Sequence, residues 1–505
     1  MGDQNVYSLF RSRFPADLAS PVLETEAGAV YTYADLESES ARYARHLTDR
    51  GVSKGDRVAV QVEKSPQALF LYLGCLRAGF IYLPLNTAYQ EAELEYFLEN
   101  AEPSAVICAA DSVMQRVASA RGVPHVLTLD AQGEGSLTEA CADTPAEFDT
   151  VPCKAADVGV ILYTSGTTGR PKGAMIHHGA LAANALSLHQ AWGWRRDDVL
   201  LHALPLFHIH GLFVACHNVL LGGSRMLFVS KFDTRTLLRL LPRATVLMGV
   251  PTFYTRLLAD PGFTAEVCAN MRLFISGSAP LLEQTFSDFQ ERTGHTILER
   301  YGMTETGMNT SNPLTGARKP GTVGPALPGV EVRVVDDHDQ AVPVGEAGQL
   351  QVRGANVFKG YWRLPEKTAE EFTPDGYFRT GDIARIDEDG YVAIVGRAKD
   401  LIITGGYNVY PKEVEGYIDD LPGVVESAVI GVPHPDFGEA VVAVVVAAPG
   451  GEAPQETALI QTLKGKLAAY KVPKRVFVVD GLPRNTMGKV QKNLLRDRYA
   501  GTFPA

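Results

Sequence analysis

The stretch Tyr163-Thr164-Ser165-Gly166-Thr167-Thr168-Gly169-Arg170-Pro171-Lys172-Gly173 concentrates groups that suit a phosphate. Its glycines let backbone N–H groups approach anionic oxygens, Thr164, Ser165, Thr167 and Thr168 add hydroxyl donors, and Lys172 adds a point charge. It leaves the apolar run Val158 to Leu162, so it reads as a loop at the end of a strand. It is not a Walker A loop: Gly173 stands where a Mg²⁺-binding Ser or Thr would follow the lysine, which argues against a P-loop kinase or ATPase. By composition alone a flexible surface loop would look the same.

Five later segments carry further chemistry: Tyr301-Gly302-Met303-Thr304-Glu305, Thr380-Gly381-Asp382, Gly396-Arg397-Ala398-Lys399-Asp400, Gly405-Gly406-Tyr407-Asn408, and Pro483-Arg484-Asn485-Thr486-Met487-Gly488-Lys489. Taken singly, Tyr301 reads as a core aromatic, Glu305 as a solvated carboxylate, Asp382 as a turn cap and Lys489 as an exposed lysine near Arg484 and Lys492. In this order, and after the glycine- and threonine-rich loop, they resemble the adenylate-forming superfamily of acyl-CoA synthetases, luciferases and peptide-synthetase adenylation domains. The resemblance runs over essentially the whole chain.

That resemblance implies an acid–thiol ligase that joins a carboxylic acid to AMP and then passes the acyl group to coenzyme A, using ATP and Mg²⁺. Attack of a carboxylate on a phosphate brings two anions together, so the site must supply positive charge and exclude water. On the family pattern the loop residues Thr164, Ser165, Gly166, Thr167, Thr168 and Lys172 bind ATP. So do Ser278 and the run Glu299, Arg300, Tyr301, Gly302, Met303 and Thr304, with Tyr301 against the adenine. Glu305, with Thr167, would hold Mg²⁺. Asp382 would accept both ribose hydroxyls, as a two-oxygen carboxylate can, and Arg397 would add a ribose or phosphate contact. Lys489 would bridge the attacking carboxylate and the α-phosphate, with Thr304 and Glu305 completing the catalytic set. Lys399 matches the hinge about which the C-terminal part rotates, bringing Gly405, Gly406 and Tyr407 to the thiol arm of coenzyme A.

Within the superfamily the residues around Pro251 to Arg256, Phe274 to Pro280 and Glu299 to Asn309 resemble malonyl-CoA synthetases. A dicarboxylic acid needs a fixed cation deep in the acyl pocket, because an unpaired buried carboxylate is costly. Arg256, Ser278 and Arg300 would hold the distal carboxylate; His208, Ile209 and Met308 would border the rest of the acid. Arg300 occupies a position that is small in many relatives. The bland alternative pairs both arginines with protein carboxylates such as Glu299. The triplet His208-Ile209-His210 invites a metal reading, but on an extended segment alternate residues face opposite sides, leaving one histidine for the pocket and no structural metal. Malonate is the preferred acid. A ligase for methylmalonate, acetate or propionate, a module that loads a carrier protein, and a non-catalytic nucleotide binder are the rivals; no carrier-like extension follows Ala505.

These groups need a scaffold, and the pattern supplies one. From about Tyr31, helical periodicity (Tyr33 to Arg50, Ser65 to Ala78, Glu91 to Asn100) alternates with short apolar runs (Val58 to Gln61, Ala105 to Cys108, Val158 to Tyr163, Val199 to His202, Thr245 to Val250, Leu273 to Ser276). This rhythm predicts parallel α/β layers. Val330 to Val335, Gln349 to Arg353 and Tyr391 to Val395 predict an antiparallel β region. After Gly396 to Asp400 a unit with apolar strands Ser427 to Gly431 and Val441 to Ala447 follows; Gly450 to Gln455 reads as a surface loop. The fold class is α/β: residues 1–397 form a large N-terminal domain of layered sheets plus a small β region, and residues 398–505 form a small, mobile α+β domain.

A chain of 505 residues exceeds what one core organises, consistent with that division. Its 47 basic against 58 acidic side chains, a net charge of -11, exclude a general binder of nucleic acid or anionic membrane. The six cysteines show no C-x-x-C spacing, which fits neither zinc nor a disulfide framework. With no secretory pattern, no myristoylation signal after Gly2 and no apolar run near the ~20 residues of a membrane span, a cytoplasmic protein is expected. Its partners are then malonate, ATP and coenzyme A, together with a lysine acetyltransferase and deacetylase acting on Lys489, whose acetylation would remove the charge.

Overall fold

A computed structural model describes residues 2–164, 171–404, 407–448, 454–467, 469–485 and 488–503, and Asn408 by its backbone only. The expectations for Ser165, Gly166, Thr167, Thr168, Gly405 and Gly406, and for most of the loop at 450–455, lie outside the described residues.

Among the described residues the strands form four sheets. One of six strands runs His125–Thr128, Ala105–Cys108, Arg57–Gln61, Ile81–Pro84, Val158–Thr164 and Lys172–His177, parallel except for the last pair. Its strands Ala105–Cys108 and Ile81–Pro84 are buried at every position, as expected of parallel strands covered on both faces. A second sheet of eight strands runs from Gly307–Ser311 and Ile297–Met303 through Leu273–Ser276, Val246–Gly249, Val199–His202 and Arg225–Phe228 to Pro21–Thr25 and Val30–Thr32. The helix Pro66–Ala78 buries every residue but Gln67, so it sits inside the layered domain rather than on its surface. Ser65 caps its start, Pro66 fills its first position, and Gly79 at φ 70° ends it. The neighbouring helix Tyr33–Asp49 begins with a reciprocal capping box between Thr32 and Asp35.

A four-stranded antiparallel sheet follows, ordered Val330–Val335, Gly348–Gly354, Phe378–Ile386 and Val392–Arg397. The short 3₁₀ turn Ala398–Asp400 then leads into a five-stranded sheet built on the paired strands Val424–His434 and Gly438–Ala447. The buried apolar residues divide accordingly: two cores draw on residues between Val6 and Val392, and two smaller ones on residues from Ile402 onward. The fold is a large N-terminal α/β domain followed by a small C-terminal one. No helix among the described residues is long and apolar enough to cross a membrane.

One local expectation is corrected. His208 to His210 is not extended: Ile209 is helical (φ -51°, ψ -41°) and leads into a π-helical turn, His210–Cys216. Gly211 permits this, since a Cβ there would lie 1.9 Å from the carbonyl oxygen of Pro205. The opposite-face reasoning for the two histidines therefore fails.

Candidate active site

The clearest cluster begins with sheet register. Asp382 and Arg397 are partners across the last two strands of the four-stranded sheet, and Arg397 Nε lies 2.7 Å from Asp382 Oδ1. The other carboxylate oxygen accepts a hydrogen bond from the Tyr301 hydroxyl, which arrives at the end of strand Ile297–Met303. Asp382 is buried, and burial raises its carboxyl above the ordinary value while Arg397 and Tyr301 pull the other way. Both oxygens are thus already engaged, and each keeps a second lone pair for a hydroxyl.

Thr304, Glu305 and Thr306 form the turn between strands Ile297–Met303 and Gly307–Ser311. Glu305 is buried, and its Oε1 accepts from the Tyr361 hydroxyl at 3.1 Å and from Thr164 Oγ1 at 3.4 Å. Burial raises its carboxyl, with Arg397 and Lys172 acting against that. A buried carboxylate flanked by hydroxyls is a donor set for a hard divalent cation, whose charge would favour the ionised form; no cluster of three ligating side chains exists among the described residues. Lys172 comes to the same place from strand Lys172–His177, with its ammonium 4.2 Å from the Tyr361 ring centroid and 3.5 Å from Glu371. Tyr361 is a member of the cluster that sequence reasoning missed, because nothing in Gly360-Tyr361-Trp362 distinguishes it from a core aromatic.

Lys489 comes from the small domain. It leaves much of its surface to solvent, yet its ammonium interacts with Arg397, Asp382, Glu305 and Arg300. Crowding by protein lowers its pKa, Arg397 and Arg300 lower it further, and Asp382 and Glu305 hold it up. Lys489 also contributes, after burial, to driving the His208 imidazole down to about 4.

Beside this lies a second cluster, built around the buried cation Arg300. Arg300 is 3% exposed, and its Nε and Nη2 have no hydrogen-bond partner. Among the described residues no carboxylate pairs with it; Glu299 points elsewhere, towards Leu281 and Lys412, with its own carboxyl raised to about 8 by burial. Burial pulls the Arg300 guanidinium down to about 9. Gly277 makes room for it, because a Cβ there would stand 2.4 Å from Arg300 Cζ. Next to it Ser278, in the left-handed region at φ 72°, brings its hydroxyl 3.2 Å from His210 Nδ1. His210 is wholly buried, neutral, and has no partner for Nε2. A non-glycine residue held at positive φ beside buried, unpaired donors marks a site shaped for something else to complete.

Ile209 lines a small cavity of about 10 Å³ with Phe213, Thr304 and Gly307. Met308 is buried opposite Gly302, where a Cβ would meet its Cε at 2.5 Å. The helix Pro251–Leu258 turns Phe253, Tyr254 and Leu257 inward and leaves Arg256 exposed, 5.7 Å over the Phe232 ring. Phe232 and Phe253 border a separate cavity of about 260 Å³ between strand ends. Lys399 is exposed in the 3₁₀ turn, and Tyr407 stacks at 4.7 Å on Tyr470. His210 is the second missed residue; its signal was the histidine triplet, set aside on the wrong backbone geometry.

The pattern of an AMP-binding enzyme matches residues 13–362, and that of the AMP-binding enzyme C-terminal domain matches residues 413–489. The chain belongs to the AMP-binding enzyme family. Among members of this family, a malonate–CoA ligase of Arabidopsis thaliana is 36% identical over 517 residues, spanning 93% of this chain and 84% of that protein. A feruloyl-CoA synthase of an Amycolatopsis species is 38% identical and covers 94% of each. The crystal structure of ATP-bound MatB from Rhodopseudomonas palustris superposes with a TM-score of 0.97 at 54% identity, covering 99% of this chain and all 100% of that one.

Proposed function

We propose that this AMP-forming acid–CoA ligase acts on malonate. The carboxylate of malonate attacks the α-phosphorus of ATP, giving malonyl-AMP and pyrophosphate; the thiol of coenzyme A then displaces AMP, giving malonyl-CoA. The observation that carries the choice of acid is Arg300: a buried guanidinium with two unsatisfied donors and no carboxylate partner among the described residues costs stability that an arriving anion would offset. Burial keeps the His210 ring neutral, and with the Ser278 hydroxyl donating to Nδ1 the Nε2–H would be available to donate to the same distal carboxylate. Arg256, exposed on the helix Pro251–Leu258, is assigned to the same carboxylate by the family resemblance. The likeness to MatB and to the Arabidopsis malonate–CoA ligase supports the reading, while the feruloyl-CoA synthase at similar identity leaves overall sequence likeness unable to choose the acid.

In the first half-reaction Lys489 stands between the attacking carboxylate and the α-phosphate, where its charge offsets the repulsion of two anions. Thr304 and Lys172 contact phosphate oxygens, with the loop Ser165, Gly166, Thr167 and Thr168 around them. Asp382 and Arg397 hold the ribose, Tyr301 and the chain from Glu299 to Met303 bound the adenine, and Glu305 with Thr167 would hold Mg²⁺. The cation supplies neutralisation of the leaving pyrophosphate. We place the domain division between Arg397 and Ala398, with Lys399 as the pivot that carries Gly405, Gly406 and Tyr407 to the thiol arm. Acetylation of Lys489 by a lysine acetyltransferase would silence the first half-reaction alone.

AMP and acyl-CoA formation with malonate, methylmalonate, succinate and acetate tests the acid. Malonate is expected to give the highest kcat/KM, with methylmalonate second, because the β-branched Ile209 would narrow the space beside the α-carbon. Equal turnover of acetate would remove the malonate reading and leave the ligase class intact.

A further inference from the structure

Lys489 can do its work only if a loop on the small domain delivers it, and that loop has a brace that neither the reaction nor the family pattern explains. Backbone bonds close the hairpin: Asn485 N–H donates to Lys489 O at 2.9 Å, Gly488 N–H to Asn485 O at 2.9 Å, and Gln491 N–H to Pro483 O at 2.8 Å. The Asn485 side chain accepts from Lys489 N–H at 3.0 Å, and Gly488 turns at φ 74°. Arg484 then ties this hairpin to the domain. One Nη donates to the carbonyl of Gly488, the residue before Lys489, and the other pairs with the carboxylate of Glu426 on strand Val424–His434. That strand pairs along its length with Gly438–Ala447 at the centre of the small domain's sheet. The pair is only partly exposed, 30% and 26%.

We infer that Glu426 and Arg484 are positioning residues for the adenylation step: the ion pair anchors one end of the guanidinium so that the other fixes the Gly488 carbonyl and aims the Lys489 side chain across the cleft. Neither residue touches the reacting atoms, and a long flexible lysine on an unbraced hairpin would spend most of its time elsewhere. The brace matters for the half-reaction that uses Lys489 and not for the one in which coenzyme A displaces AMP. This rests on Lys489 being the adenylation lysine.

The test compares malonate-dependent exchange of labelled pyrophosphate into ATP with thioester formation from presynthesised malonyl-AMP and coenzyme A, in the full chain. Arg484→Met should lower exchange roughly tenfold or more, through kcat and not KM for ATP, since small misplacements of a catalytic group carry penalties of that order. Thioester formation should stay within about twofold. Glu426→Gln should shift exchange in the same direction by less, and the double variant should be no worse than Arg484→Met, as expected for two residues acting as one unit. A parallel fall in both half-reactions, or unchanged exchange in both single variants, overturns the inference. Glu426→Gln, which keeps a side chain of the same shape, carries the test if Arg484→Met does not fold. Lys489→Ala separates the two levels: if it retains exchange, the role given to Lys489 falls; if it loses exchange while Arg484→Met does not, only the brace falls.

Discussion

A Cβ on Gly277 would lie 2.4 Å from Cζ of Arg300, so the guanidinium occupies the space that any other residue at 277 would fill. Gly277→Ala should therefore displace Arg300 and not merely crowd it. With malonate, kcat/KM is expected to fall by about tenfold or more, because the buried charge loses its alignment. Acetate, with no second carboxylate, should be affected far less. Steady-state assays with both acids check this, and a parallel loss with both would show that the glycine serves the backbone alone.

Arg300 is a buried cation with no carboxylate partner among the described residues, a functional arrangement that costs stability. Arg300→Met should raise the thermal midpoint, with a gain of about 1 to 4 kcal/mol in the ligand-free protein. The same change should lower malonate kcat/KM by ~3 to 5 kcal/mol. Melting curves read the first effect and steady-state assays the second; added malonate should also stabilise the wild type and leave the variant unmoved.

Lys489→Ala is expected to slow malonyl-adenylate formation by roughly 10³-fold, ~4 kcal/mol, while preformed malonyl-AMP still yields malonyl-CoA. Single-turnover measurement of each half-reaction checks the division. Equal loss of the two would place the lysine in a structural role.

Glu299 gives a pH dependence whose sign is fixed. Burial raises its carboxyl from 4.5 to about 8, with Lys412 and Glu283 as the charged groups facing it. Between those values the folded protein holds a proton that the unfolded chain has released. The associated stability is complete below about pH 4.5 and is lost as pH rises to about 8, with a slope of up to ~1.4 kcal/mol per pH unit. Glu299→Gln, which is neutral at every pH, should flatten the decline of the melting temperature between pH 5.5 and 8.5. An unchanged slope would mean that Glu299 titrates near its ordinary value.

The layered architecture was legible because its strands are short, apolar and isolated by turn residues. Ala105–Cys108, Val199–His202, Leu273–Ser276 and Val330–Val335 have the predicted limits. Ser65 was read as the first residue of a helix for which it is the cap, and the strand read as Tyr391 to Val395 is observed as Val392–Arg397, which is what lines Arg397 up with Asp382. Motif order marked Asp382, Tyr301, Glu305 and Lys489, which the fold brings near one another from two strands, a turn and a hairpin of the small domain. Reading a residue by its charge has a limit: the helix of Arg256 buries Phe253, Tyr254 and Leu257 and leaves the arginine exposed, which its charge does not tell. His210 shows the other limit. Its π-helical turn depends on how close Gly211 comes to Pro205, a through-space contact that local pattern does not encode.

Arg397 ends the last strand of the large domain's antiparallel sheet, and the exposed Lys399 stands two residues further on. A side chain salt-bridged to Asp382 is therefore almost the last rigid point before the chain passes to the small domain. If the small domain swivels at Lys399, the axle bearing is bolted to the carboxylate assigned to the sugar, so a seated nucleotide would stiffen the mounting from which the second half of the cycle must swing.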